Sequence, residues 1–249
     1  MIVNNVCTNL TTEKSLLKDI LFVLSSLLKI YKILMSGREY NKYYRLSNKS
    51  QQTCQNSHSP TVPEQWIKCP RKSFTAINNK FVAFKTPLDS KYDEQIPARY
   101  RFNTEMLFSS LVNEKINLGL WIDLTNTCRY YNGFIIKGYV KLPCKGHYSP
   151  PTKEQTKLFI KICSKFVAKN PLQCIGVHCT HGFNRTGFMI ITYLIEELHF
   201  NVTSAITHFA AARPPGIYKQ VYIDELYRRY SKNEKPILAP KPPDWCKVN

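Results

Sequence analysis

The stretch of the chain that decides the fold is Cys174-Ile175-Gly176-Val177-His178-Cys179-Thr180-His181-Gly182-Phe183-Asn184-Arg185-Thr186-Gly187. Its first residues are largely apolar and predict a buried strand, and the glycines flank a short polar loop. The apolar run at 188–195 then predicts a buried helix. Similar alternation of strands and helices elsewhere in the chain predicts an α/β domain of three layers.

Cys179 and Arg185 are separated by five residues, and this spacing suits the binding of a phosphate group. A short loop that enters a helix turns successive backbone N–H groups toward one point, where the helix dipole also favours an anion. Arg185 can offer a planar fork to two phosphate oxygens. The same positive field favours a thiolate at Cys179, so we expect Cys179 to be a nucleophile.

The other residues of the loop are expected to bind phosphate or to arrange the nucleophile. Thr186 can place a hydroxyl near the sulfur and help it leave when the intermediate is hydrolysed. His178 is expected to fix the loop by hydrogen bonds rather than to act as a base. The residues expected to surround the phosphate are Thr180, His181, Gly182, Phe183 and Asn184. The alternative, a structural cysteine beside a surface arginine, leaves the coincidence of these features unexplained.

The string His-Cys-Thr-His-Gly-Phe-Asn-Arg-Thr-Gly-Phe closely resembles the RNA 5′-triphosphatase domain of animal mRNA capping enzymes, which are cysteine-dependent phosphatases. Five other stretches agree in order, at 63–71, 123–127, 144–147, 212–219 and 243–246. The resemblance covers about residues 63–246. It implies a three-layer α/β/α fold like that of dual-specificity phosphatases, with a central, mostly parallel sheet, and a reaction that needs no metal or other cofactor.

The activity implied by the resemblance is the first step of mRNA capping. Cys179 would attack the γ-phosphorus of 5′-triphosphate RNA, RNA 5′-diphosphate would leave, and water would hydrolyse the phosphocysteine. The polyphosphate and the RNA need further cations, for which Arg213 and then Arg129 are the candidates. The alternative role for either arginine is that of a surface or ion-pair residue.

Capping enzymes continue into a guanylyltransferase with a Lys-x-Asp-Gly motif, which this sequence lacks. The chain is therefore expected to be a fragment, a truncated gene model or a free-standing enzyme. For a free-standing enzyme, the resemblance implies a guanylyltransferase in trans, and it also implies RNA polymerase II as a partner.

Two other hypotheses stay open. The first is a dual-specificity protein phosphatase, or a phosphatase directed at RNA and ribonucleoprotein. A phenolate leaving group benefits from a carboxylic acid that donates a proton, and Asp123 at a predicted strand end is the candidate. Holding the Asp-Leu-Thr-Asn-Thr turn is an equal candidate role for Asp123. Residues 146–150 contain no Asp that could serve as a general acid on a mobile loop, and this favours a triphosphate substrate.

The second hypothesis is a non-catalytic phosphate-binding module. It is disfavoured because both Cys179 and Arg185 are present.

The composition favours a polyanionic partner. The chain has 249 residues and a formal net charge of +18, which suits nucleic acid or an anionic membrane, although a solvated basic surface explains it as well. The apolar run at 20–28 is too short to span a bilayer, so no membrane association is expected. An odd number of cysteines and a thiolate nucleophile favour a reducing compartment, the cytosol or the nucleus, and the resemblance to capping enzymes implies the nucleus.

Three segments are predicted. Residues 1–62 form a poorly ordered extension with an amphipathic helix at 14–34, residues 63–231 form the phosphatase-type domain, and residues 232–249 form a Pro-rich tail or linker. Within the domain, a helix at 104–116 should point Leu107, Leu111 and Val112 inward, and Thr203 should cap a later helix. Strands are predicted at 81–84, 118–124, 139–142 and 174–178, and further helices after a Thr152–Gln155 capping box and at 220–230.

Overall fold

The computed structural model describes residues 61–146, 148–231 and 234–246. The predicted extension lies outside these residues except for its last two positions, and its helix at 14–34 lies outside them entirely. The strands are β1 (Phe81–Lys85), β2 (Leu118–Asp123), β3 (Tyr139–Lys141) and β4 (Cys174–Cys179). The helices are α1 (Thr104–Asn113), α2 (Lys153–Lys169), α3 (Asn184–Glu196), α4 (Val202–Ala212) and α5 (Gln220–Tyr230).

The four strands form one parallel sheet in the order β1-β4-β2-β3. Lys85 of β1 pairs with Cys179 of β4, and Asp123 of β2 pairs with His178 of β4 and with Lys141 of β3. The carboxyl ends of all four strands therefore meet at one edge of the sheet. Open parallel sheets bind their ligands at this edge.

The sheet separates two apolar layers, because successive side chains of a strand point to opposite faces. Phe81 and Ala83 belong to the core that helices α2 to α5 cover. Val82 and Phe84 belong to the opposite core, which contains α1 and Trp121. These layers confirm the predicted three-layer fold with a central parallel sheet.

Helix α3 lies at the centre of the helical layer and contacts β4, α2, α4 and α5. Its residues from Thr186 to Leu194 are all buried. This burial explains why the sequence after the loop is apolar on every side instead of amphipathic. It also fixes the amino end of α3 against the sheet edge where β4 ends.

Two details of the helix predictions were wrong. Val112 is 72 % exposed, because it lies about 100° around the helix from the buried Leu111. Asn201, not Thr203, caps α4: its side chain accepts a hydrogen bond of 2.7 Å from the backbone N–H of Ser204. The Thr203 hydroxyl is 2.6 Å from the Tyr227 hydroxyl instead. The capping box of Thr152 and Gln155 at the start of α2 is present as predicted.

The segment 234–246, part of the predicted Pro-rich tail or linker, makes several contacts with the domain. The backbone N–H of Ala239 donates to the Gln220 side chain at 2.7 Å, and Gln65 donates to the Cys246 carbonyl at 2.6 Å. Trp245 packs against His181 and Phe183, with ring centroids 5.5 and 5.3 Å apart. This segment therefore supports the loop after β4.

None of the helices within the described residues is long and apolar enough to cross a membrane.

Candidate active site

The loop at residues 179–185, called the cysteine loop below, connects the carboxyl end of β4 to α3. Cys179 is only 4 % exposed, and its sulfur accepts a hydrogen bond of 3.3 Å from the backbone N–H of Gly182. Gly182 has a φ of +73°, and a Cβ there would lie 2.2 Å from the Phe84 carbonyl oxygen. A side chain at this position would push the loop off β1, so glycine is required. The backbone N–H of Thr86 donates to the Thr180 carbonyl and ties the loop to the chain after β1.

The surroundings of the Cys179 sulfur favour its thiolate form. Burial opposes its ionisation, but the Arg185 guanidinium, the Thr186 hydroxyl and the backbone N–H groups of Thr186 and Gly182 together lower the pKa of this thiol. Other buried cysteines behave in the opposite way: burial raises the pKa of Cys69 and of Cys144 to about 12. Cys179 therefore combines burial with an environment that favours the ionised form, which a cysteine nucleophile requires.

Arg185 is held in place by its own hydrogen bonds. One terminal nitrogen donates to the carbonyl oxygens of Cys144 and Leu124 at 3.1 and 3.4 Å, and the other donates to the Thr180 hydroxyl at 3.0 Å. A guanidinium has five N–H donors, so donors remain for phosphate beyond these three bonds. Gly146 lies beside the guanidinium, since a Cβ there would be 3.6 Å from its carbon.

His178 is fully buried, and its position agrees with the expected role of fixing the loop. Its Nδ1 lies 3.1 Å from the Cys179 carbonyl, which can only accept, so Nδ1 carries the proton. Its Nε2 accepts a hydrogen bond of 2.6 Å from the Tyr131 hydroxyl, and this hydroxyl accepts one of 2.8 Å from Trp121 Nε1. Burial lowers the pKa of His178 to about 4, so the ring is neutral.

The Thr186 hydroxyl is buried beside the Cys179 sulfur. It contributes to the lowered pKa of Cys179, so it acts on the sulfur. A hydroxyl in this position is suited to stabilise a thiolate. The role of Thr186 in releasing the sulfur from a phosphocysteine stays a prediction.

Asp123 is 2 % exposed, and the groups that donate hydrogen bonds to its carboxylate are themselves buried. One carboxylate oxygen accepts from the Thr125 backbone and hydroxyl at 2.8 and 2.7 Å, and the other from Tyr139 and Lys141, both at 2.8 Å. Burial opposes its charge, but the nearby His178 and Lys141, with hydrogen bonds from Lys141 and Thr125, lower the pKa of Asp123. This geometry favours the turn-holding role over that of a general acid.

Arg213 lies beneath the cysteine loop and is 1 % exposed. It donates to the carbonyl oxygens of His181 and Gly182 at 3.0 and 3.3 Å, and to that of Pro70 at 2.8 Å. Its guanidinium carbon is 4.2 Å from the Phe183 ring centroid. Binding of the loop carbonyls turns the N–H groups toward the opposite side. The geometry therefore favours a supporting role for Arg213 over the expected direct contact with phosphate.

The remaining residues of the loop are also engaged with the surrounding chain. The Asn184 side chain accepts hydrogen bonds from the backbone N–H groups of Tyr218 and Lys219 at 3.1 and 3.0 Å. His181 Nε2 lies 2.9 Å from the Glu64 carbonyl. The loop is thus tied to residues 63–71 on one side and to residues 212–219 on the other.

A cavity of about 580 Å³ opens above the cysteine loop. Cys179, Thr180, His181, Asn184 and Arg185 line it, and among the other lining residues are Arg129, Lys219, Tyr148 and Glu64. Arg129 lies where the sequence analysis expected a cation. Lys219 and Tyr148 were missed, although Lys219 belongs to a stretch that carries the resemblance. Glu64 is the one carboxylate among the described residues that line the cavity, and its side chain is exposed.

The comparison with protein families agrees with this geometry. Residues 102–232 match the model of the dual specificity phosphatase catalytic domain. The chain belongs to the dual-specificity phosphatase family. It is therefore an enzyme, a hydrolase of the cysteine-dependent phosphatase class.

The relatives of this dual-specificity phosphatase also confirm the resemblance seen in the sequence. An mRNA-capping enzyme of Danio rerio is 47 % identical over 189 residues, which cover 74 % of this chain and 31 % of that protein. An mRNA-capping enzyme of Caenorhabditis elegans is 47 % identical over 190 residues, which cover 74 % of this chain and 30 % of that protein. An RNA/RNP complex-1-interacting phosphatase homolog of C. elegans is 34 % identical over 182 residues, which cover 70 % of this chain and 78 % of that protein. The chain spans about a third of the length of the capping enzymes it matches.

Asp123→Asn should destabilise the protein by about 3–5 kcal/mol, because it leaves the Lys141 ammonium buried without its counter-charge. The pKa of Asp123 is lower in the folded state than in the unfolded state. The contribution of the Asp123 charge to the free energy of unfolding is therefore fully present above the unfolded pKa of about 3.9, and it is lost as the pH falls through the folded pKa. Urea unfolding at neutral and acidic pH measures both effects. Glu94→Gln, at an exposed carboxylate, is the control. Loss of aryl phosphate hydrolysis at unchanged stability would instead support a general acid.

The alkylation rate of Cys179 by iodoacetamide should reach half its maximum at a pH below the free-cysteine pKa of about 8.5, because the loop stabilises the thiolate. Peptide mass spectrometry over a pH series separates Cys179 from the other cysteines. Thr186→Ala should raise this midpoint, since it removes one hydrogen-bond donor to the sulfur. A Cys179 midpoint at or above that of a free thiol would contradict the electrostatic account.

Proposed function

We propose that this chain removes the γ-phosphate from 5′-triphosphate RNA through a phosphocysteine intermediate, the first step of mRNA capping. The observation that carries the proposal is the cationic cavity: Arg185 at its floor is accompanied by Lys219 and Arg129 along its walls. A monophosphate needs only the loop and Arg185. Additional cations suit a chain of phosphates that continues into an RNA backbone.

In the first step the γ-phosphate is bound by the loop N–H groups and the Arg185 fork. The Cys179 thiolate attacks the phosphorus in line, so that the S–P bond forms while the bond to the bridging β-γ oxygen breaks. The electron pair of that bond leaves on the RNA 5′-diphosphate. In the second step water attacks the phosphocysteine, inorganic phosphate forms, and the thiolate leaves toward the Thr186 hydroxyl.

The nature of the leaving group favours a triphosphate over an aryl phosphate. A phenolate has a conjugate acid with a pKa near 10 and benefits from a proton donor, whereas a diphosphate is far less basic. Asp123 is engaged by Thr125, Tyr139 and Lys141 and is absent from the residues that line the cavity. The walls supply cations that stabilise the charge on a departing diphosphate.

The capping enzymes matched by this chain support the same proposal, because they share nearly half of the aligned residues. We extend it to the setting of the reaction. A nuclear location, the subsequent action of a guanylyltransferase and an association with RNA polymerase II would follow if the chain works in capping. The net charge of +18 suits the polyanionic RNA.

A second candidate is a phosphatase directed at RNA and ribonucleoprotein, or at phosphoproteins. Its support is the coverage of the relatives: the C. elegans RNA/RNP complex-1-interacting phosphatase homolog is matched over 78 % of its own length, far more than the capping enzymes. Such an enzyme would use the same nucleophile and the same Arg185 fork. The two candidates differ in the substrate that they release phosphate from.

The test is to compare γ-phosphate release from triphosphorylated RNA with hydrolysis of a phosphotyrosine peptide, both in EDTA. We expect a strong preference for RNA, and we expect Cys179→Ser to lower the rate by roughly 10³-fold or more because a serine hydroxyl is not ionised at neutral pH. Val112→Ala, at an exposed position remote from the cavity, is the control for folding. A preference for the peptide would favour the second candidate. A strict metal requirement would contradict the proposed mechanism.

A further inference from the structure

The wall of the cavity includes an aromatic side chain that packing does not explain. Tyr148 is 77 % exposed and lines the cavity. Several other large apolar side chains within the described residues are exposed, but none of them lines this cavity. Isolated exposed apolar side chains are common on protein surfaces, whereas one beside a nucleophile has a ligand within reach.

Tyr148 is held beside the cations that surround the cysteine. The Lys219 ammonium lies 4.8 Å from the centroid of its ring, a cation–π contact. Gly146, two residues earlier on the same segment, lies against the Arg185 guanidinium. Gly146 and Tyr148 therefore both lie at the cavity, Gly146 beside Arg185 and Tyr148 beside Lys219. A substrate that places its γ-phosphate on Arg185 would extend past Lys219 toward Tyr148.

We propose that Tyr148 stacks on the first base of the RNA while Lys219 binds the phosphates between that base and the γ-phosphate. This inference rests on the proposed function. The Lys219 ammonium contacts the Tyr148 ring and helps to orient it. Because 77 % of Tyr148 is exposed, ring surface remains available for a base. Single-stranded nucleic acid is commonly bound by such stacking, which every base can make.

The consequence is a preference for an RNA end over a free polyphosphate. Inorganic triphosphate can bind to Arg185 and Lys219, but it has no base to stack on Tyr148. Loss of one base–aromatic stack weakens binding by roughly 5- to 150-fold. The phenol hydroxyl has no part in stacking, so phenylalanine should replace tyrosine at this position.

The first test is the ratio of kcat/KM for triphosphorylated RNA to kcat/KM for inorganic triphosphate. Tyr148→Ala should lower this ratio roughly 5- to 150-fold, through KM for the RNA. Tyr148→Phe should keep the wild-type ratio. Phe74→Ala, at a side chain that is 73 % exposed and away from the cavity, is the control and should also keep it. An unchanged ratio in Tyr148→Ala would overturn the inference.

The second test measures stacking without catalysis. In the Cys179→Ser variant, triphosphorylated RNA with 2-aminopurine as its first base should lose fluorescence on binding, because stacking quenches this base. Adding Tyr148→Ala should remove the quenching, while an RNA with the probe at its fifth base should show little quenching in either protein. Equal quenching with and without Tyr148 would also overturn the inference.

Failure of the proposed function gives a different result. Wild-type protein would then release no γ-phosphate from triphosphorylated RNA while it hydrolyses the phosphotyrosine peptide, and the stacking inference would fall with it. If wild-type protein acts on the RNA but Tyr148→Ala changes neither the ratio nor the quenching, only the role of Tyr148 is wrong.

Discussion

The whole site depends on stabilising a negative charge on a buried sulfur. Burial alone raises the pKa of a cysteine, as it does at Cys69 and Cys144, and only Arg185, Thr186 and the backbone N–H groups of the loop reverse this effect at Cys179. Fixed dipoles and a fixed guanidinium need no reorganisation when a phosphate binds or when charge moves during transfer. The field that lowers the pKa of Cys179 is therefore also suited to bind a phosphate.

The fold supplies this field by holding the backbone of the cysteine loop from several sides. Arg213 binds the carbonyl oxygens of His181 and Gly182, so the N–H groups of the loop are left for the cavity. Neutral His178 holds the Cys179 carbonyl, and Tyr131 and Trp121 hold His178 in turn. Buried polar networks of this kind fix a geometry when all their members are paired. The ion pair of Asp123 and Lys141 holds the neighbouring strand ends in the same way.

Much of this arrangement could be predicted from the sequence because its signals are local. Apolar runs, a capping box and the spacing of Cys179 and Arg185 give the strands, the helices and the floor of the site. The roles of Asp123 and Arg213 could not be assigned, because a charged residue in a motif looks the same whether it faces the cavity or a buried partner. Lys219 and Tyr148 come together only through the packing of α5 beside residues 148–150. Segment 234–246 looked like a linker because its many prolines exclude regular structure without excluding contact.

The measurement that tests the account most directly is the capture of the intermediate. Protein mixed with RNA labelled with ³²P at the γ-phosphate is quenched in acid within one turnover and digested, and the labelled peptide is sequenced. The account predicts a label on the peptide that contains Cys179, chased by water into inorganic phosphate in later time points. Rapid phosphate release with no label on Cys179, or with a label on another residue, would contradict the central role of the Cys179 thiolate.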